Sequence, residues 1–199
     1  MIREVFMKGV FMKQRIGIVT LGVFLTASTA WAQSPAPKPG PEAKKLAVLS
    51  GVWTYEGEAK ESPMGPAGKF SGKNACRMTL GGFFLECRSE EKGALGILRG
   101  LEIDAYDSVS KSYISRSFTS DGGIGSGTLA FNGKKVTFVG DFLQGGKQVK
   151  VKWTGFFSED GMSYAGNSEF SPDGQTWTLL GEAKGVKTPP AAKTPPAAK

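Results

Sequence analysis

The stretch that decides the fold is Cys76-Arg77-Met78-Thr79-Leu80-Gly81-Gly82-Phe83-Phe84-Leu85-Glu86-Cys87. Two adjacent glycines reach the positive φ values that a two-residue hairpin turn demands. Folding the chain back about Gly81-Gly82 sets Leu80 opposite Phe83, Met78 opposite Leu85 and Cys76 opposite Cys87, and puts Arg77 against Glu86 on the other face. One face is then wholly apolar and the other carries a complementary ion pair; a slip of one residue spoils both. Directly opposed residues of an antiparallel ladder lie with their Cα atoms roughly 4.5–5.5 Å apart, within reach of a disulfide. Closing so short a loop stabilises by about 3 kcal/mol in the chain-entropy account. Without a Cys-x-x-Cys motif, a Cys76–Cys87 bond reads as structural rather than redox-active.

The same test works further along the chain. Asn132-Gly133, a strong hairpin signal, pairs Leu129 with Val136 and Gly127 with Phe138, and sets Thr128 against Thr137 on the opposite face. Asp160-Gly161 pairs Val151 with Phe170, Trp153 with Ser168 and Phe157 with Tyr164, leaving Lys152 against Glu169 outside. Around Asp173-Gly174, Pro172 cannot donate the bond that a two-residue turn needs. A four-residue loop keeps Phe170 opposite Trp177; a three-residue bulged loop turns Trp177 outward. With the even loop, Gly155, Gly166 and Gly181 align across three strands of the inner face, either as a barrel corner where the sheet coils or as an opening beside Trp153, Phe157 and Tyr164.

From Gly51 onward, period-two alternation and turn signals every eight to twelve residues predict an all-β domain. Nine or ten antiparallel strands form a meander, at 51–60, 68–79, 83–90, 97–106, 112–119, 126–131, 135–142, 148–158, 162–170 and 175–184. Pro41 to Leu49 predicts a short N-terminal helix, with Pro in its first turn and Ser50-Gly51 ending it.

The ends read differently. Met12 is the expected true start, because Lys13 and Arg15, the apolar run Ile16 to Ala27, and Ala30-Trp31-Ala32 have the order of a secretory signal peptide. This places cleavage near Ala32 and the mature protein in the periplasm or medium. Residues 33–42 are a Pro-rich linker, 43–187 the β-barrel domain, and 188–199 a twice-repeated Thr-Pro-Pro-Ala-Ala-Lys tail too poor in apolar residues to pack. No later stretch is apolar enough to span a membrane as a helix. The chain has 25 Lys+Arg against 18 Asp+Glu, yet residues 43–184 hold 17 and 16. Nucleic-acid binders concentrate positive charge on the folded domain; here it belongs to the ends.

Leu49-Ser50-Gly51-Val52-Trp53, a helix leading into a strand through Gly-x-Trp, is similar to the start of lipocalin-like (calycin) barrels. Leu80-Gly81-Gly82-Phe83, the run Gly100 to Asp107, Lys111-Ser112-Tyr113 and Gly127-Thr128-Leu129 resemble, in that order, a bacterial family of uncharacterised proteins, domain of unknown function 1579. The likeness covers most of residues 43–184 and implies a closed lipocalin-like β-barrel without implying an activity. Haem barrels that bind nitric oxide begin similarly but ligate iron through histidine, and this chain has no histidine.

The lack of histidine also removes Ser-His-Asp and Cys-His catalysis and histidine-based zinc or non-haem iron sites. No cofactor or metal is implied. Gly123-Ile124-Gly125-Ser126-Gly127 leads into a strand, so it lacks the helix N-terminus of a phosphate loop. The expected role is binding of a small apolar or amphipathic ligand inside the barrel, lined by Trp53, Tyr55, Phe138, Trp153 and Tyr164. Leu101, Ile103 and Ala105 are expected to face Phe118, Arg116 and Ile114 on the inner face. Arg116 there would either snorkel to water at the barrel end or pair with an internal acid, or hold the carboxylate of an acidic amphiphile. Glu102, Asp104 and Tyr106, opposite Ser115 and Ser117, are then an outer polar face. The alternatives are an envelope interaction module tethered by the tail, or a metal-free enzyme using those carboxylates; no catalytic residue is assigned.

Overall fold

The computed structural model describes residues 37–189 apart from Gly145. The expected signal peptide, the first four residues of the Pro-rich linker and all but the first two residues of the repeat tail lie outside the described residues. Within them a short helix, α1 (Pro41–Lys45), runs into a 3-10 turn, Leu46–Leu49. Ten antiparallel strands follow: β1 (Gly51–Ala59), β2 (Gly68–Thr79), β3 (Phe84–Gly93), β4 (Gly96–Asp107), β5 (Ser112–Thr119), β6 (Ile124–Asn132), β7 (Lys135–Gln144), β8 (Lys147–Phe157), β9 (Ser163–Ser171) and β10 (Thr178–Thr188). Each pairs with its sequence neighbours, and β1 pairs with β10, so the sheet closes into a barrel.

Full closure removes the unpaired edges that would otherwise recruit other strands. It also forces every strand to alternate between lumen and outer surface.

The deciding hairpin keeps its expected register, with Met78 opposite Leu85, Cys76 opposite Cys87 and Arg77 opposite Glu86. Its turn is longer than two residues. Leu80 (φ 48°), Gly81 (φ 73°) and Gly82 (φ 88°) all adopt positive φ, so Leu80 leaves the ladder and is exposed instead of meeting Phe83. Cys76 and Cys87 form a disulfide with Cα atoms 4.0 Å apart, and both are buried against Leu46 and Leu85. Replacing both cysteines by alanine is expected to cost about 2.7 kcal/mol by loop entropy. Urea unfolding measures it, and two free thiols in alkylated native protein would show that the bond is absent.

Other registers were only partly legible. The Asp160-Gly161 hairpin pairs as expected, including Lys152–Glu169 at 2.8 Å outside. The Asn132-Gly133 hairpin is displaced by two residues. Asn132 pairs with Lys135, the turn is Gly133-Lys134, and Leu129 faces Phe138 while Gly127 faces Gly140. A shift of two preserves which side chains face inward, so patterning cannot detect it. Between β9 and β10 a bulge at Leu179–Gly181 sets Gly181 opposite Ser168 rather than Gly166. Trp177 lies outside, with the Lys152 ammonium 4.4 Å from its ring centre.

The largest correction concerns β4 and β5. Their cross-strand partners are as expected, Ile103 with Arg116 and Asp104 with Ser115, but the faces are exchanged. Asp104 and Ser115 are fully buried, whereas Arg116 and Phe118 are exposed. The cause lies one strand earlier. β3 and β4 turn tightly at Ala94-Leu95, placing Glu102 opposite the inward-facing Cys87 and Asp104 opposite Leu85.

Candidate functional site

One end of the barrel is plugged. Leu46, wholly buried, sits on the disulfide and Leu85, with Leu49, Met78, Tyr113, Leu129 and Phe131 around them. The Trp53 indole N–H donates to the Leu49 carbonyl at 2.9 Å, fixing the plug to the first strand. The Lys187 ammonium stands 4.7 Å from the Trp53 ring centre and donates to the Val48 carbonyl.

Above the plug is a cavity of about 390 Å³. Its wall is largely aromatic: Trp53, Tyr55, Phe70, Phe138, Trp153, Phe157 and Tyr164. Tyr164 packs against Trp53, Phe157 and Trp153 at centroid distances of 5.6, 5.6 and 5.8 Å. Inner-face glycines let these rings lie close to the wall. A Cβ on Gly155 would come within 2.4 Å of the Trp153 ring, and one on Gly185 within 2.2 Å of the Tyr164 ring. The glycines are therefore covered by aromatic rings, which supply the side-chain contacts that glycine cannot.

The cavity leads into a wider hollow of about 720 Å³ at the other end, which shares Phe70, Glu91, Trp153, Ser168 and Ala183 with it. The β1–β2 loop borders this mouth through Met64, Gly65 and Pro66.

Of the six residues expected to bind ligand, the barrel brings Trp53, Tyr55, Phe138, Trp153 and Tyr164 to this one cavity. Arg116 is not among them. It is on the outer surface, its guanidinium donating to the Ser115 carbonyl at 2.8 Å, so it cannot hold a ligand carboxylate in the lumen.

Sequence reasoning missed the polar groups that do face inward. Glu91 accepts a hydrogen bond from the Tyr55 hydroxyl at 3.2 Å. Glu102 also lines the cavity, together with Asn74 and Ser89. Asp104, two residues on along the same strand face, is completely buried, with the Ser115 hydroxyl and the Glu102 carboxyl as its polar neighbours. The Asn74 side-chain oxygen is buried and unpartnered.

Burial and the neighbouring Asp104 charge push the Glu102 carboxyl well above the usual carboxylate range, and burial pushes Asp104 up as well. Burial also raises Glu91, against the opposing hydrogen bond from Tyr55. The Tyr55 hydroxyl is raised by burial and by Glu91, and that of Tyr164 is pushed up to about 12 by the same two causes. At neutral pH both phenols are donors.

Among the described residues no group of three His, Cys, Asp or Glu is placed to hold a metal ion, and no helix is long and apolar enough to cross a membrane. The arrangement offers apolar contact, stacking surfaces and a set of acceptors. Sequence could have revealed the acceptors by carrying the inward face of Cys87 through the Gly93–Gly96 turn to Glu102.

One solved structure of known fold agrees with the barrel. The crystal structure of Rv2717c from M. tuberculosis superposes with a TM-score of 0.55 at 12% identity, over 76% of this chain and 99% of that one. A de novo designed fluorescence-activating β-barrel aligns at a TM-score of 0.40 and 12% identity, over 73% and 98%. No curated protein matches the sequence. A family profile described as "Protein of unknown function (DUF1579)" matches residues 38–154, and the chain, with its ten-stranded closed barrel, belongs to that family.

Proposed function

We propose that the protein is an exported carrier or sensor that binds a small amphipathic molecule in the lumen of its barrel. The observation that carries this reading is the aromatic cavity of about 390 Å³, interrupted by a few convergent polar groups. Ligand sites characteristically combine such an apolar wall with sparse polar groups that fix orientation. A barrel whose interior served stability alone would fill it with interlocking side chains. Export rests on the leader-like residues 1–32, and a buried disulfide suits an oxidising compartment.

Native mass spectrometry of protein purified from its producing cells without detergent tests the reading. A co-purifying small molecule, lost when Phe138 or Trp153 is replaced by a smaller residue that leaves the circular dichroism unchanged, is the expected result. Apo protein that also fails to take up any amphiphile from a hydrophobic series would overturn it.

A further inference from the structure

Among the described residues that line the cavity, the only ionisable side chains besides the phenols are the carboxyls Glu91 and Glu102; there is no lysine or arginine. Behind Glu102 stands Asp104, fully buried, with only the Ser115 hydroxyl and the Glu102 carboxyl beside it and no cation. Asn74 adds a further acceptor that lacks a donor. A cavity wall holding several acceptors and no cation is costly to build, and a ligand that brings positive charge and N–H donors offsets that cost. The wall suits the same ligand, because aromatic rings attract cations.

We infer that the ligand is an organic ammonium ion: an amphipathic primary or secondary amine whose apolar body lies among Trp53, Phe138, Trp153 and Phe157 and whose N–H groups reach Glu102 and Glu91. The inference rests on the proposed binding function and gives that site its ligand class. It reverses the charge preference expected when Arg116 was placed inside. A quaternary ammonium would satisfy the charge and leave the acceptors without donors, so the amine is the better fit.

Binding of this kind is linked to protons. The groups beside Glu102 are Asp104 on its own strand and the non-titrating Ser117 opposite it on β5; Glu91 from β3 and the Tyr55 and Tyr164 hydroxyls from β1 and β9 line the same cavity, and Ser115 stands opposite Asp104. Lys187, at the plugged end, is occupied by the Val48 carbonyl and the face of Trp53. With their proton affinity raised by burial, the carboxyls hold protons in the empty barrel that an ammonium ion displaces.

Isothermal titration of the folded protein with octylamine, octanol and octanoate separates the outcomes, because the three share one chain and differ in the head group. Octylamine is expected to bind roughly ten- to hundredfold more tightly than octanol near pH 8, the range of a charge-assisted hydrogen bond. The advantage should shrink toward pH 5.5. Its binding heat should vary with the ionisation enthalpy of the buffer, reporting proton release. Glu102→Gln should remove the preference and the proton release; Glu91→Gln should reduce the preference in part. Octylamine binding no tighter than octanol in the unmodified protein, or a preference for octanoate, would overturn the inference while leaving the binding function standing. An undiminished amine preference in Glu102→Gln would also overturn it. Failure of all three probes to bind would remove the binding function and the inference together.

Discussion

The double variant Glu102→Gln, Asp104→Asn is expected to be more stable than the unmodified protein by about 3 kcal/mol at pH 9, with the difference nearly gone at pH 5. Each unpaired buried polar group costs about 1–3 kcal/mol, and more when charged. Both carboxyls have folded-state pKa values raised by burial above those of the unfolded chain. Groups shifted in this direction favour the folded state at low pH, where they are protonated in both states. That stability is lost as pH rises from the unfolded carboxylate range through the raised folded values. Glu91 acts in the same direction. Surface acids act oppositely: hydrogen bonds from Arg88 to Glu86 and from Ser110 to Asp107 lower those carboxyls, and backbone donors hold Asp173 down to about 2. Their contribution disappears as pH falls through the lowered values. The unmodified protein should therefore be most stable in mildly acid solution and weaken toward pH 9, and the amide variant should lose most of the alkaline decline. Urea midpoints at pH 5, 7 and 9 measure this; parallel curves for the two proteins would refute it.

Leu46→Ala is expected to destabilise by about 3–5 kcal/mol, at the upper end for a buried leucine. Leu46 has no exposed surface and packs on Leu85 and on both half-cystines. Its truncation leaves a void that the disulfide-linked strands cannot collapse to fill. The plug is also joined to the cavity through the Leu49–Trp53 hydrogen bond, so the variant should hold octyl probes more weakly as well as unfold earlier. Val48→Ala in the same turn is half exposed and should change stability by under about 1 kcal/mol, which separates plugging from helix propensity.

How far the sequence could be read depended on the range over which each signal acts. Strand order and the Cys76–Cys87 pairing follow from turns and alternation, which are local and mutually consistent. Faces do not follow so readily, because period-two alternation separates two sets of residues without saying which set is inside. On β4 the apolar set Leu101 and Ile103 lies outward, and the acidic set Glu102 and Asp104 lies inward. A rule that apolar residues go inside fails where the lumen is built to hold charge. The candidate site is hidden for that reason: five aromatics are legible in the sequence, whereas alternation puts Glu102 and Asp104 on the surface and gives no sign of Glu91. The bulge at Leu179–Gly181 was illegible for another reason, since nothing in Asp173-Gly174 distinguishes an even loop from an odd one.

The seam between β1 and β10 joins Val52 to Thr188, almost the full span of the domain. Every other strand pairing can form as soon as its neighbour has been synthesised, but this one waits for the last strand. Until then the nascent sheet is an open ribbon with two unpaired borders and no enclosed lumen. Contacts so distant in sequence make folding slow. Commitment to the native state thus falls after residue 178 has emerged. A ribosome stalled before that point, or a protease cut that releases β10, should yield a species prone to pair with copies of itself.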